Sequence, residues 1–227
     1  MDINQKKALL NFFQEFITPE RKKLFKQVLQ QRTRHITILL EDIYQPHNAS
    51  AVLRTCDLTG VQDVHIIETR NEYNVNPDVA LGSSKWLNLV KYNQKEHNTL
   101  NAYNELRKRG YRIVATTPNK NAYTPETIPL EGKVALVFGT ELNGLTDEAM
   151  DHADEYLRIP MYGFTESFNI SVSAALVLYA LTSRLRNSEI SWQLDSDERT
   201  DILLEWSRRS IKKSDALERQ FFRSLNS

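Results

Sequence analysis

Two apolar runs in the C-terminal half of the chain each empty into a polar, glycine-marked loop and then into a helix start. The first reads Phe138-Gly139-Thr140-Glu141-Leu142-Asn143-Gly144-Leu145. The second passes from Ile159-Pro160-Met161 through Gly163 to Ser167-Phe168-Asn169-Ile170-Ser171-Val172-Ser173-Ala174-Ala175. A strand that opens into such a loop places it at the carboxyl end of a sheet, where α/β proteins build their ligand pockets. Gly139 and Gly144 lack side chains, so backbone there can come close to a ligand. The small residues Ser171, Ser173, Ala174 and Ala175 suit a helix that packs closely against another element. An ordinary strand-to-helix turn and an ordinary core helix are the plainer readings of the two segments.

The rest of the chain has the same texture. Short apolar runs at 36–40, 64–67, 87–90, 111–115, 134–138 and 156–159 read as buried strands, with helical segments between several of them at 48–59, 97–109 and 146–153. Gly110 falls where a helix-ending glycine belongs, and Thr146-Asp147-Glu148 is an N-cap with an acidic first turn. Alternating strand and helix predicts an α/β fold with a parallel-rich sheet flanked by helices. A long helix over 167–186, opened by Ser167 and Asn169, closes that domain. Thr18-Pro19-Glu20 starts a helix ahead of it, and helical patterns recur around 202–206 and 216–225. Three regions result: a helical arm at 1–34, a main domain at 35–187 and a helical extension at 188–227.

Composition excludes several classes. A chain of 227 residues, 41% hydrophobic, can bury a full core. No apolar run approaches the ~20 residues of a membrane-spanning helix, and the start of the chain has no signal-peptide core. One cysteine, Cys56, rules out an internal disulfide and suits a cytoplasmic location. The first strand ends in Glu41-Asp42-Ile43-Tyr44-Gln45-Pro46, without the glycines of a dinucleotide site and without a P-loop. The histidines His35, His47, His65, His97 and His152 are scattered and never at metal-ligand spacing, so no metal is expected. Net charge is zero, so affinity for nucleic acid has to come from clustered charge.

Pro46-His47-Asn48-Ala49-Ser50-Ala51-Val52-Leu53-Arg54-Thr55 supplies the remaining candidates. Ala49, Val52, Leu53 and Cys56 form a buried stripe at helical spacing, with Cys56 a structural thiol within it. Arg54 points away from the stripe, on the side of Ser50 and Ala51, two small residues that would leave room for a substrate. Asn48 takes the N-cap position. A capping Asn and a surface Arg in an ordinary ion pair are the alternative.

Taken together and in this order, the three segments resemble the signature of the SpoU/TrmH branch of the SPOUT RNA methyltransferases, over about 37–186. That resemblance implies a deep trefoil knot formed by the last two segments, S-adenosyl-L-methionine as cofactor, and transfer of its methyl group to a ribose 2′-hydroxyl of RNA. By the same carry-over, Thr116, Gly139, Ile159, Met161, Ser167 and Phe168 surround the cofactor, and Asn48, Arg54, Glu141 and Asn169 are catalytic. A leucine is usual at the position of Phe168, and the substitution stays apolar. Because a guanidinium holds its proton near neutral pH, Arg54 is read as stabilising the developing alkoxide and its neighbouring phosphate.

The extensions resemble the tRNA-specific members. Phe16 to Arg21 and Gln30 to Arg34 match their N-terminal arm, and Gly82, Ser83, Lys85 and Trp86 match an internal segment. The resemblance implies a homodimer acting on a guanosine in the tRNA D-loop, with ribosomal RNA or another tRNA position as alternatives. A catalytically inactive knotted RNA-binding protein and an unrelated α/β binding module are rivals of another kind. Arg208, Arg209, Lys212 and Lys213 form a dense basic run that reads either as tRNA phosphate contacts, with Lys85, or as a solvated helix face.

Overall fold

The computed structural model describes residues 1–71, 73, 76–94, 96–118, 122–140 and 143–225. In chain order its helices and strands are α1 (Ile3–Gln14), α2 (Pro19–Leu29), β1 (Ile36–Glu41), α3 (Pro46–Thr59), β2 (Asp63–Ile67), α4 (Pro77–Ala80) and β3 (Asn88–Tyr92). There follow α5 (Asn98–Lys108), β4 (Tyr111–Thr116), β5 (Lys133–Phe138), α6 (Asp147–Asp151), β6 (Glu155–Leu157), α7 (Ile170–Arg186), α8 (Ser196–Ser210) and α9 (Ser214–Leu225). The described chain forms two compact units, Thr33–Trp192 and a smaller one made of Met1–Arg32 with Gln193–Ser227.

In the larger unit the strands make one sheet in the order β3-β2-β1-β5-β4-β6, with neighbouring strands parallel throughout. Parallel strands need helical crossovers, so both faces are covered and the strands read as continuous apolar runs. The pleat sorts them. Ile36, Ile38 and Leu40 of β1 join Val134, Leu136 and Phe138 of β5 against α3 and α7. Leu39, Ala135 and Val137 point the other way, against Ala102, Tyr103 and Leu106 of α5. A one-residue slip of β1 would exchange these sets, so both layers hold the register Leu40↔Phe138.

The smaller unit is helical. Leu9, Leu10 and Phe13 of α1 bury against Leu204 of α8, with Phe12, Phe221 and Phe222 packed on them. Phe25 of α2 packs against Trp206, and the buried Arg32 guanidinium lies 5.4 Å from that indole. Lys6 pairs with Asp201 at 2.7 Å. The two ends of the chain, read from sequence as separate segments, therefore share one core.

Several helix ends match the expected chemistry. Thr18 accepts from the Arg21 N–H at 3.3 Å with Pro19 in the first turn, and Thr146 accepts from Ala149 N–H at 3.2 Å. Gly110, φ +83°, follows α5. Two boundaries differ. The third helix starts at Pro46, whose fixed φ suits a first position, so Gln45 is its N-cap and Asn48 lies inside the first turn. Asn169 alone caps α7, leaving Ser167 in the preceding loop. The short helix α4 and the 3-10 turn Ser83–Lys85 occupy a stretch without a strong sequence pattern.

Candidate active site

The carboxyl ends of β4, β5 and β6 open into one cavity of about 550 Å³, within the ~300–1,000 Å³ of small-molecule sites. Thr116, Gly139, Ile159, Met161, Ser167 and Phe168, drawn from three separate segments, all line it. Phe138, Leu145, Leu157 and Val177 add apolar wall. Thr116 is held by its hydroxyl, which donates to the Val137 carbonyl at 2.7 Å.

Gly139 shapes one side. Beyond it the chain turns back on itself: Thr140 N–H donates to the Gly144 carbonyl at 2.9 Å, and Gly144 N–H donates to the Thr140 carbonyl at 3.0 Å. Asn143 N–H donates to the Thr140 hydroxyl at 3.2 Å, and Gly144 has φ +67°. A Cβ on Gly139 would lie 2.2 Å from the Gly144 carbonyl oxygen and 2.4 Å from the Leu145 nitrogen. No side chain fits there, so the glycine is required by close approach of backbone to backbone. Glu141, expected to be catalytic, falls outside the described residues, as does Leu142.

The cavity wall passes through Phe168 and Ile170, and the residue between them reaches the other motif. Asn169 Nδ2 donates to Asn48 Oδ1 at 3.2 Å, joining residues 121 apart in sequence. Asn169 Oδ1 accepts from Ser171 N–H at 2.9 Å and from the Ser171 hydroxyl at 2.6 Å. Asn48, 4% exposed, donates through Nδ2 to Gln45 Oε1 at 3.1 Å. These bonds form a polar chain that fixes both carboxamides and joins α3 to the start of α7.

Arg54 lies on the same helix as Asn48, exposed, and no described residue forms an ion pair with it. The stripe beneath it is as expected: Ala49, Val52, Leu53 and Cys56 are at most 1% exposed. The space expected beside Ser50 is taken. Ser50 is buried, its hydroxyl donating to the Pro46 carbonyl at 2.6 Å and accepting from Asn76 N–H at 2.7 Å. Tyr73 reaches the Ala49 carbonyl at 3.4 Å from the same segment. Room for a substrate near Arg54 lies away from Ser50.

Arg208 is engaged within the smaller unit: its Nε and Nη2 donate to the two carboxylate oxygens of Glu218 at 2.9 and 2.8 Å, and Nη1 donates to Glu205. Glu218 and then Glu205 raise its pKa further above the usual arginine value. Arg209, Lys212 and Lys213 are exposed where α8 gives way to α9. Lys85 is exposed in the other unit, on the 3-10 turn packed beside α3.

Gln45, Thr140 and Asn143 carry no site role in the sequence reading, though Thr140 and Asn143 lie in the glycine-framed segment. Gln45 is visible as a helix start only if Pro46 is taken as the first helical residue. The backbone hairpin that brings Thr140 and Asn143 to the cavity has one sequence signal, the Gly139 and Gly144 pair.

The donor set suits S-adenosyl-L-methionine. The cavity has apolar walls, one side shaped by the Gly139 hairpin, and the polar side chains of Thr116, Thr140 and Asn143 on its lining. The model of the SpoU rRNA Methylase family matches residues 35–179. The chain is 45% identical over 204 residues to the tRNA (guanosine(18)-2′-O)-methyltransferase of Borreliella burgdorferi, covering 90% of this chain and 92% of that one. It is 33% identical over 195 residues to the enzyme of the same name from Thermus thermophilus, covering 85% and 98%. Among solved structures, the A. aeolicus TrmH/SpoU tRNA modifying enzyme superposes with a TM-score of 0.75 at 29% identity, covering 86% of this chain and 98% of that one.

Proposed function

The chain belongs to the SpoU rRNA Methylase family, and we propose that it methylates the ribose 2′-hydroxyl of guanosine 18 in the D-loop of tRNA, using S-adenosyl-L-methionine. One observation carries the reading: Asn169, between two residues of the cavity wall, is hydrogen-bonded to Asn48 of the helix that bears Arg54. A cofactor cavity and a polar pair for a hydroxyl nucleophile then share one edge.

The cofactor, when bound, supplies an activated methyl group. The chain's own residues position the two reactants. The apolar wall excludes water, and the hairpin backbone at Gly139 holds the ligand closely. Asn48 and Asn169, each fixed by a further partner, orient the ribose. In-line transfer demands alignment of the hydroxyl with the methyl group, so much of the rate comes from this positioning. Arg54 offers its guanidinium to the developing alkoxide and an adjacent phosphate, and the hydroxyl proton passes to phosphate or water. Glu141 is assigned to the same site from the family pattern.

Unit Thr33–Trp192 performs the chemistry, and the helical unit contributes tRNA phosphate contacts through Arg209, Lys212 and Lys213, with Lys85 adding one from the catalytic unit. Arg208, tied to Glu205 and Glu218, stabilises the fold there. A trefoil knot in the chain that follows β5 and β6 belongs to the same family reading. The working form is a homodimer. Val172, Leu176 and Tyr179 leave 43%, 44% and 72% of their surface exposed at helical spacing along α7, and Leu58 on the adjoining α3 is 76% exposed. An apolar stripe of this kind suits a second copy of the chain about a two-fold axis. No described helix is long and apolar enough to cross a membrane; a tRNA substrate supports the reading of a cytoplasmic enzyme.

Single-turnover methylation of tRNA beside calorimetric cofactor binding tests the assignment. Arg54→Ala should lower turnover roughly 100-fold or more with little change in S-adenosylmethionine affinity. Arg54→Lys keeps the charge but loses the planar fork, and should rescue poorly. Near-normal turnover in Arg54→Ala contradicts the catalytic assignment. Absence of turnover in the wild type returns the chain to the inactive RNA-binding class.

A further inference from the structure

Glu41, the last residue of β1, is a carboxylate with only 2% of its surface exposed. Its Oε1 accepts from the Thr99 hydroxyl at 2.7 Å and the Thr146 hydroxyl at 2.9 Å, and its Oε2 accepts from the Thr146 backbone N–H at 2.9 Å. No described basic residue forms an ion pair with it. A buried carboxylate held by neutral donors alone is costly to keep and would be replaced readily by an apolar side chain if packing were its only use.

The three donors show what it is kept for. Thr99 belongs to the first turn of α5. Thr146 caps α6 and is the residue at which the Gly139 hairpin ends. The start of that hairpin is fixed by β5, whose Phe138 is in register with Leu40, the residue before Glu41. Its end has no strand to hold it and is fastened by Glu41 instead. Both ends of the hairpin are thereby referred to the same two residues of β1. Between them lie Gly139, Thr140, Asn143, Gly144 and Leu145, all lining the cavity.

We propose that Glu41 is a positioning residue for the cofactor: it fixes the exit of the Gly139 hairpin against β1 and α5, and so sets the shape of the cavity. The inference rests on the reading of that cavity as the S-adenosylmethionine site. Glu41→Gln is nearly the same shape but has one oxygen where the carboxylate has two: either its N–H₂ meets the Thr146 N–H, donor against donor, or it turns to face the Thr99 and Thr146 hydroxyls, whose own protons then lose their acceptor.

The test is calorimetric S-adenosylmethionine binding, with KM for cofactor and for tRNA measured separately and a thermal melt for each variant. Glu41→Gln should raise the cofactor dissociation constant and KM at least tenfold, leave the tRNA KM within about twofold, and still melt cooperatively. An equal rise in both KM values, or unchanged cofactor affinity in a folded variant, overturns the inference while the proposed function stands. A wild type that does not bind S-adenosylmethionine overturns both. Should Glu41→Gln fail to fold, Thr146→Ser against Thr146→Val decides. Serine keeps both donors and should bind normally, whereas valine keeps only the N–H and should bind weakly. Equal binding by the two overturns the inference.

Discussion

A methyl group at Gly139 would lie 2.2 Å from the Gly144 carbonyl oxygen, well inside contact distance, and the obstacle is backbone with nowhere to go. Gly139→Ala should therefore weaken S-adenosylmethionine at least tenfold, about 1.4 kcal/mol, while far-UV circular dichroism stays that of the wild type. Equal affinity in a titration would show that the hairpin can open without loss. Gln45→Ala removes the acceptor that holds Asn48 Nδ2. It should reduce single-turnover methylation several-fold with cofactor affinity preserved, and an unchanged rate would mean that the position of Asn48 does not depend on Gln45. Gly139 and Asn169 were legible because the three segments together resemble the family signature; each alone reads as a turn glycine and a helix cap. Gln45 and Glu41 were not, since their partners lie at Asn48, Thr99 and Thr146, and only the fold brings them together.

Elements were the most legible scale where pattern and caps agreed. The strand cores of β1, β2, β4 and β5 stand within a residue or two of their apolar runs, and Thr18 and Thr146 cap as their chemistry requires. The β6 pairing ends at Leu157, two residues before the apolar run does, because Arg158 has left the β4 edge and instead donates its N–H to the Tyr123 carbonyl at 2.8 Å. The α3 start was misplaced by two residues because Pro46 overrode Asn48 as the boundary. The small Ala174 of α7 packs inside the unit, and the larger Val172, Leu176 and Tyr179 remain exposed. Leu176→Asp with Tyr179→Asp should give a monomer by light scattering with a native melt, and a dimer surviving both changes would place the interface elsewhere. At the junction of α8 and α9, replacing Arg209, Lys212 and Lys213 by Ala should flatten the salt dependence of tRNA binding. Each phosphate that the protein no longer neutralises takes about 0.7 to 0.9 off the log–log slope. An unchanged slope would return the run to a solvated face.

At the scale of the whole molecule, the parallel sheet followed from the alternation of runs, but the union of the two chain ends did not. Phe13 and Leu204 are far apart in sequence, and each helix shows only an apolar stripe that fits many partners. Acid stability is likewise a property of the assembled fold. His65 is buried between strands, its Nδ1 3.1 Å from the Tyr92 hydroxyl, which donates to Glu105. Burial, opposed in part by Asp63, lowers its pKa from 6.5 to about 4. The unfolded chain therefore takes up a proton that the folded one refuses, and stability is lost as pH falls through this window, by up to ~3 kcal/mol. Urea titrations at pH 7 and pH 4.5 should show that loss, and His65→Gln should shrink it. Equal sensitivity in the variant would assign it to other groups. The central claim is where the methyl group goes. The full-length protein, unmodified tRNA and S-adenosylmethionine should yield 2′-O-methylguanosine at position 18 when ribose methylation is mapped nucleotide by nucleotide. A map with no ribose methylation, or with the mark on another nucleotide, would contradict it.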